Sequence, residues 1–216
     1  MGRDRRTTHA RRLMWEERYS ASNDYLFGTA PAAVLADNPW LALPGQSVLC
    51  VADGEGRNSV HLAQSGMAVT AFDLSQTAVG RTKALADNAG VAVQAHVAGW
   101  GDWDWSQQFD MVAAIFIQFA DPALRARQFA DMTRALRPGG RLLLHGYRPE
   151  QIGRGTGGPP FVENMYTEAM LHDAFAGWHI ERCASYDRHQ QAGSGHVGPA
   201  ALIDFIARRP EASPPV

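Results

Sequence analysis

The chain has 216 residues, of which 45% are hydrophobic and 19% charged, and its formal net charge is −2. This size and balance suit one globular domain with a full core, and the small net charge argues against nucleic acid as a partner. Neither of the two cysteines, Cys50 and Cys183, belongs to a C-x-x-C pair, which argues against a disulfide framework and a zinc site.

The N-terminal segment is predicted to be a poorly ordered basic tail. Residues 1–14 carry an arginine-rich run with neither an apolar stretch after it nor a small-residue cleavage site, so they are not typical of a secretory signal. Residues 210–216 form a second predicted tail, and no apolar run approaches the roughly 20 residues that span a bilayer. We therefore expect a cytoplasmic protein without a membrane partner and with one domain over residues 15–209, as a monomer or a homodimer.

The residues between the two tails alternate between helical and strand patterns. Aromatic and charged side chains mix over residues 15–25 and predict a short amphipathic helix, and Pro31 suits the first turn of another over residues 31–41. Continuous apolar runs are typical of strands buried on both faces of a parallel sheet. In chain order, the predicted strands are 47–52, 68–72, 91–97, 111–116, 141–145, 180–186 and 200–207. The remaining helices are predicted at 58–64, from Ser75 as N-cap to about Asn88, from Asp121 to the stop at Pro138, and at 166–175.

The order of these elements predicts the fold class. Five strands that alternate with helices imply right-handed βαβ units and a parallel sheet. No helix separates 180–186 from 200–207, so the last two strands are predicted to pair antiparallel. The expected fold is therefore α/β: a doubly wound, mostly parallel, Rossmann-like sheet of seven strands with an antiparallel C-terminal strand. Ligands of such sheets bind beyond the carboxyl ends of the strands.

A glycine-rich turn joins the first strand to the next helix and is the first candidate binding site. Gly54 and Gly56 let the backbone approach a ligand closely, beside the unpaired N–H groups at the start of the helix. Asp73 follows about 20 residues later, at the end of the second strand, where it is placed to accept both hydroxyls of a ribose. These residues together predict a nucleoside ligand.

The charge of this turn distinguishes between two classes of ligand. A dinucleotide needs its pyrophosphate at the helix N-terminus with no negative charge beside it, whereas the turn carries Asp53 and Glu55. Carboxylates suit a ligand with an ammonium and a sulfonium group, which favours S-adenosylmethionine over NAD. An NAD-dependent oxidoreductase remains an alternative, because Gly54-x-Gly56-x-x-Ser59 nearly fits the dinucleotide fingerprint.

An ordered set of motifs extends this interpretation over most of the chain. The motifs are Trp15-Glu16-Glu17-Arg18-Tyr19, Ala52-Asp53-Gly54-Glu55-Gly56-Arg57-Asn58, Phe72-Asp73-Leu74-Ser75, Leu136-Arg137-Pro138-Gly139-Gly140, Gly157-Gly158-Pro159 and Gly193-Ser194-Gly195-His196-Val197-Gly198. From about residue 15 to residue 209 the chain resembles the class I S-adenosylmethionine-dependent methyltransferases, and within them the bacterial tellurite-resistance and thiopurine-methyltransferase-like group. The resemblance implies an enzyme that transfers a methyl group to a small-molecule acceptor and releases S-adenosylhomocysteine.

The resemblance also assigns residues to the cofactor. The first glycine turn would hold its amino-acid end, Asp73 its ribose and Leu74 one side of its adenine, while the loop after the third strand would close over the base. Phe116 and Gln118, after the fourth strand, would line the site of methyl transfer. The full predicted set is Asp53, Gly54, Glu55, Gly56, Asn58, Asp73, Leu74, Ala98, Gly99, Trp100, Phe116 and Gln118.

The acceptor side is predicted from fewer residues. The resemblance places His196 at the methyl side, as a general base or acceptor-binding residue. Trp15, Tyr19 and Tyr25 are candidates for a lid that excludes water, although aromatic residues near a terminus also serve to pin a segment to the core. Arg148, together with His145 at a strand end, is a candidate for binding an anionic acceptor, and no metal site is expected.

Two departures from the family pattern leave alternatives open. The family usually has an acidic residue at Gly99, reaching the adenine amino group, and a glutamate at Ala192. Trp100 could stack on the adenine in place of the first contact. The loss of the second leaves the acceptor open between a chalcogen oxyanion, a thiol and a metabolite hydroxyl or amine. The two departures together leave a non-catalytic S-adenosylmethionine-binding domain as an alternative.

Overall fold

The computed structural model describes residues 2–211, with their side chains from residue 8 onward. Its helices are α1 (Gly2–Ser20), α2 (Ala33–Ala36), α3 (Arg57–Gln64), α4 (Gln76–Ala89), α5 (Pro122–Arg134) and α6 (Glu168–Ala174). Its strands are β1 (Ser47–Val51), β2 (Ala68–Asp73), β3 (Val93–Val97), β4 (Phe109–Ile115), β5 (Leu136–Tyr147), β6 (His179–Ala192) and β7 (His196–Arg208). Short 3-10 turns occupy Pro39–Leu41, Pro149–Gln151 and Val162–Asn164. None of the helices described combines the length and the apolar character needed to cross a membrane.

The strands form a seven-stranded sheet in the order β3-β2-β1-β4-β5-β7-β6. β2 pairs with β3 and β4 pairs with β5 in parallel, whereas β7 runs antiparallel to β5. The predicted fold class, a doubly wound and mostly parallel α/β sheet with antiparallel pairing at its C-terminal end, is confirmed. The register places His145 of β5 opposite Ile115 of β4 and, on its other side, opposite Asp204 of β7.

The described residues group into two compact units. The first holds the residues up to Gly45 together with Cys50–Trp103 and Ala192–Gly195. The second holds Gln46–Leu49, Asp104–Gln191 and the described residues from His196 onward. Each has its own core, with Leu35, Leu41, Leu62 and Phe72 buried in the first and Met132, Tyr166, Leu171 and Phe205 buried in the second. A single domain over residues 15–209 stays a prediction.

Two helix starts follow the local sequence rules. The hydroxyl of Ser75 accepts a hydrogen bond from the backbone N–H of Ala78, 3.1 Å away, and so caps α4. The carboxylate of Asp121 accepts one from the N–H of Leu124 at 2.8 Å, and Pro122 occupies the first turn of α5. Both predicted helix starts are confirmed.

The N-terminal helix α1 is longer than the sequence predicted. It begins at Gly2, where a poorly ordered tail up to residue 14 was expected, and it ends at Ser20. Residues 10–17 contain alanine, arginine, leucine, methionine and glutamate, all strong helix formers, so propensity extends the helix where no apolar stripe marks it. The second predicted tail lies outside the described residues from position 212 onward.

Two further differences come from proline and glycine. The segment predicted as one helix over 31–41 divides into α2 and the 3-10 turn at Pro39, because proline lacks an N–H for a continuing helix. The predicted turn at Pro138-Gly139-Gly140 lies inside β5. There the N–H of Gly139 donates to Arg209 O at 3.1 Å, and the N–H of Arg209 donates to Gly140 O at 2.8 Å. These bonds to the chain after β7 hold the two glycines within β5, beside a register shift in β4, although Gly139 has a φ of +72°.

Candidate functional site

The glycine turn of the first unit forms the tight backbone bend that the sequence predicted. Gly54 and Gly56 have φ of +67° and +91°, a region that favours glycine. A Cβ on Gly56 would lie 2.7 Å from Thr82 Cγ2 and 2.8 Å from Thr82 Cα, so the absence of a side chain lets α4 approach the turn. A Cβ on Gly54 would lie 2.9 Å from the hydroxyl of Tyr19, which therefore lies directly against the turn.

Asp73 joins this turn to the end of β2. Its carboxylate accepts hydrogen bonds from the N–H of Gly54 at 3.0 Å and from the N–H of Ser75 at 2.9 Å. Burial raises the pKa of Asp73 above its ordinary value, and these backbone N–H groups act in the opposite direction. Each carboxylate oxygen has a second lone pair, so Asp73 keeps the capacity to accept ribose hydroxyls.

The other two acidic residues of the turn differ in their contacts. Asp53 accepts a hydrogen bond from the hydroxyl of Ser59, and burial raises the pKa of its carboxyl to about 7. Glu55 is buried, accepts a hydrogen bond from the N–H of Leu26 at 2.7 Å and pairs with the guanidinium of Arg81. Its side chain therefore links the backbone at Leu26 to the turn. The sequence did not indicate this contact. A role of Glu55 at the cofactor stays a prediction.

The aromatic residues predicted as a lid are brought to the same turn. Tyr19 is buried and stacks on Trp15 with ring centroids 5.4 Å apart. The hydroxyl of Tyr25 donates to Arg81 O at 3.3 Å. Burial raises the pKa of Tyr19 well above its ordinary value, and the negative charges of Asp73 and Glu55 raise it further. The turn thus gathers the carboxyl groups of Asp53, Glu55 and Asp73 around Tyr19, and an acidic turn of this kind fits a cationic ligand such as a sulfonium.

Asn58 and Leu74 are the two remaining predicted cofactor residues near the turn and Asp73. Asn58 is buried at the start of α3, and its side-chain oxygen accepts a hydrogen bond from the N–H of Ala32 at 2.9 Å. That contact ties the segment before α2 to the turn. Leu74 is half-buried directly after Asp73. The contacts of both residues with a cofactor stay predictions.

The tryptophan-rich loop after β3 packs against Phe72 at the end of β2. Trp103 stacks on Phe72 with ring centroids 4.8 Å apart, whereas Trp100 meets Phe72 edge-on at 6.2 Å. The backbone enters this loop at Ala98, whose N–H donates to Asp73 O at 2.9 Å. Stacking of Trp100 on an adenine stays a prediction.

The same loop contains an acid that the sequence analysis did not single out. The N–H of Gly99 donates to the carboxylate of Asp102 at 3.2 Å, and a Cβ on Gly99 would lie 2.9 Å from that carboxylate. Asp102 therefore occupies space that a side chain at position 99 would take. The available signal was an aspartate three residues after the glycine that departs from the family pattern.

The residues predicted around the acceptor lie in the second unit. Phe116 follows β4 with φ of +57°, which is strained for a bulky residue, and its ring centroid lies 4.7 Å from that of His196 and 4.9 Å from that of Tyr147. The amide of Gln118 donates to Tyr147 O and accepts from Tyr147 N, both at 2.6 Å. Gln118 thus holds the end of β5. Its role at a cofactor and that of His196 as a base stay predictions.

Arg148 is held in ion pairs. Its guanidinium contacts the carboxylate of Asp187 and lies 3.2 Å from that of Glu150, and Arg154 reaches the second oxygen of Asp187 at 2.9 Å. These arginines lower the pKa of Asp187, chiefly through hydrogen bonds. An anionic acceptor at Arg148 would have to compete with both acidic residues.

A buried histidine–aspartate pair is the main feature that sequence reasoning missed. Nδ1 of His145 lies 2.7 Å from Oδ1 of Asp204, and both side chains are 1% exposed. Asp204 also accepts hydrogen bonds from Arg182 Nε at 2.9 Å and from the hydroxyl of Tyr186 at 3.0 Å. His145 was considered only as a ligand for an anion. The antiparallel register between β5 and β7 brings the pair together, and no spacing within the chain indicates that register.

Comparisons with known proteins agree with the fold. Residues 48–140 match a family model described as a methyltransferase domain. A search of curated protein sequences found no match. The matched segment runs from β1 into β5 and includes the glycine turn and Asp73.

Several solved structures share the architecture over most of the chain. A protein from echinomycin biosynthesis, in which a disulfide bond is converted into a thioacetal group, is 22% identical with a TM-score of 0.73, covering 94% of this chain and 93% of that one. NodS of Bradyrhizobium japonicum, an N-methyltransferase solved with S-adenosylhomocysteine, is 14% identical with a TM-score of 0.70, covering 93% and 98%. TehB of Haemophilus influenzae is 17% identical with a TM-score of 0.66, covering 90% and 67%. At these identities the likeness shows a common fold.

Proposed function

We propose that the chain is a class I S-adenosylmethionine-dependent methyltransferase, that its acceptor is a small molecule, and that the glycine turn of the first unit holds the cofactor. The observation that carries this placement is the gathering of three carboxyl groups at the turn. Three carboxylates, those of Asp53, Glu55 and Asp73, act on Tyr19, and Arg81 is the cation that pairs with Glu55. A ligand with an ammonium and a sulfonium group would be attracted by these carboxylates.

Different residues of the turn would contact different parts of the ligand. Asp53 and the backbone of Gly54 and Gly56 would hold its amino-acid end, and Asp73 would accept the ribose hydroxyls. The cofactor supplies a methyl group bonded to a positively charged sulfur, so the leaving group is a neutral thioether. The chain has to orient the acceptor and exclude water, and orientation of this kind contributes about 7–11 kcal/mol to such reactions.

The finer assignments rest on weaker support. The motif set and the likeness in fold to TehB support the tellurite-resistance and thiopurine-methyltransferase-like group. The net charge of −2 supports a partner other than nucleic acid. We also propose a cytoplasmic location without a membrane partner. NodS is an N-methyltransferase, whereas the echinomycin protein acts where a disulfide is converted into a thioacetal, so the shared fold accompanies different acceptors.

Calorimetry with S-adenosylmethionine and S-adenosylhomocysteine tests the proposal. We expect both to bind with micromolar affinity, and no binding at millimolar ligand would refute it. Release of S-adenosylhomocysteine is then followed with tellurite, thiols, phenols and amines as acceptors. Tight binding without turnover of any acceptor would favour a non-catalytic S-adenosylmethionine-binding domain.

Binding should also depend on pH through Asp53. Because burial raises the pKa of this carboxyl to about 7, it is mostly protonated at pH 6 and mostly ionised at pH 8. Only the ionised form attracts the ligand's ammonium, so affinity should rise with pH, by about tenfold between pH 6 and pH 8 if that form alone binds. Calorimetric titration with S-adenosylhomocysteine at four pH values measures the slope. The Asp53→Asn variant should bind more weakly and lose this dependence, and an unchanged slope in that variant would assign the titration to another group.

A further inference from the structure

Helix α1 is held on the start of α4 by one carboxylate. The side chain of Glu16 accepts hydrogen bonds from the hydroxyl of Ser75 at 2.6 Å, from the backbone N–H of Thr77 at 3.3 Å and from the hydroxyl of Thr77. These donors belong to the N-cap and the first turn of α4, where backbone N–H groups lack partners within the helix and attract negative charge. Glu16 therefore supplies this helix end with an acceptor from another helix of the first unit.

The contact depends on the charge of Glu16 as well as on its shape. Burial acts to raise the pKa of this carboxyl, but the hydrogen bonds from Ser75 and Thr77 outweigh burial and hold the pKa below its ordinary value. Glu16 is therefore ionised at neutral pH, and both of its oxygens accept. A glutamine would offer one oxygen and would turn its NH₂ group toward donors.

The same helix places Tyr19 against the glycine turn. Tyr19 follows Glu16 by three residues, so the two side chains leave α1 on the same side. The ring of Tyr19 is buried and stacks on Trp15, and a Cβ on Gly54 would lie 2.9 Å from its hydroxyl. The contacts of Glu16 thus fix Tyr19 at the turn where the cofactor is proposed to bind.

The chain directly after α1 is held by separate contacts. The N–H of Leu26 donates to the carboxylate of Glu55 at 2.7 Å, and the guanidinium of Arg81 donates to Asp24 O at 3.0 Å. None of these groups belongs to α1, which ends at Ser20. Loss of the contacts of Glu16 would therefore release α1 from α4 without releasing the segment that follows it.

We propose that Glu16 is the positioning residue of a lid formed by the end of α1, and that S-adenosylmethionine enters and leaves the glycine turn when the contact of Glu16 with α4 opens. This inference rests on the proposed function and adds to it the control of cofactor exchange. Glu16 acts through Tyr19 and makes no contact with the cofactor. Because the ligand passes the same lid in both directions, a weaker contact raises the rates of association and release together.

The first test uses the chain without cofactor. Hydrogen exchange followed by mass spectrometry reports how often the amides of α1 open. Glu16→Gln should raise the exchange rate within residues 13–20 by about tenfold or more, since hydrogen bonds to a charged group are strong ones. Glu17→Gln makes the same change at an exposed position of the same helix, and this matched control should exchange like the wild type. Unchanged exchange in Glu16→Gln would overturn the proposal.

The second test measures cofactor exchange. Stopped-flow tryptophan fluorescence gives separate rate constants for the association and the release of S-adenosylmethionine. Glu16→Gln should raise both by about tenfold, and Glu17→Gln should change neither. Slower association with unchanged release would mean that Glu16 acts only by attracting the cationic ligand, and this result would overturn the proposal. Equal effects of the two variants would overturn it as well.

A variant of α4 tests the partner of Glu16. Thr77→Val nearly keeps the shape of the side chain and removes the hydroxyl that donates to Glu16. It should speed release by about threefold in the wild-type chain and have little effect in Glu16→Gln, because both changes break the same contact. Independent effects of the two substitutions would contradict the proposal. Failure of the proposed function gives a different result, in which the wild-type chain binds no S-adenosylmethionine although Glu16→Gln still loosens α1, and the inference then fails with it.

Discussion

Replacing Gly56 with alanine is expected to destabilise the chain by about 3–5 kcal/mol, the combined cost of overpacking and of a left-handed backbone for a residue with a Cβ. The new methyl would lie 2.7, 2.8 and 2.9 Å from Cγ2, Cα and Cβ of Thr82. Because one of these atoms belongs to the backbone of α4, rotation of the threonine side chain cannot relieve the contact. Urea unfolding followed by circular dichroism measures the change in the free energy of unfolding.

The same substitution at a second glycine provides the control. Gly80 lies inside α4, where a Cβ would meet no atom within 4 Å and the backbone is helical. Gly80→Ala should therefore stabilise the chain by up to about 1 kcal/mol, the difference in helix propensity. Unfolding of Gly56→Ala at the same urea concentration as the wild type would contradict the close approach of α4 to the turn.

Asp73→Asn is expected to weaken the binding of S-adenosylhomocysteine by about 100-fold or more, since hydrogen bonds to a charged group contribute about 1.5–3 kcal/mol each. The carboxylate accepts hydrogen bonds from Gly54 N and Ser75 N through its two oxygens. An asparagine can accept through only one, so its NH₂ group would face a backbone N–H or a ribose hydroxyl. Calorimetry at pH 8 measures the dissociation constant.

An aspartate outside the turn shows whether the loss is specific. Asp104 is exposed and accepts hydrogen bonds from Ser106, so Asp104→Asn removes the same charge without touching the proposed site. We expect it to bind S-adenosylhomocysteine like the wild type. Equal affinity in Asp73→Asn and Asp104→Asn would mean that Asp73 serves only to hold the glycine turn.

The sequence predicted the parts of the fold that depend on local pattern. A buried strand, two glycines and an acid at the end of the next strand were enough to locate the turn, because each is dictated by neighbouring residues. The cap at Ser75 and the helix start at Asp121 were predicted for the same reason. The strand at 141–145 was found, but its extension to Leu136 was not, since the bonds that keep Gly139 and Gly140 in the sheet come from Arg209.

Contacts between residues far apart in the chain were not predictable in this way. His145 and Asp204 meet because β5 and β7 pair antiparallel with one particular register, which the sequence does not encode in any short segment. The contact of Glu55 with Leu26 likewise depends on where the chain after α1 runs. In the tryptophan-rich loop, the stacking of Trp103 depends on the position of Phe72. A single sequence supplies the residues of these contacts but not their pairing.

The backbone of the turn between β6 and β7 packs directly against the backbone of the segment around Leu26. The N–H of Gly195 donates to Leu26 O at 2.9 Å, and a Cβ on Gly193 would lie 2.3 Å from the same oxygen. A residue with a side chain can therefore replace Gly193 only if the backbone at Leu26 moves. Over evolutionary time the two stretches are therefore constrained to change together, and a graft of either one from a relative would have to bring the other with it.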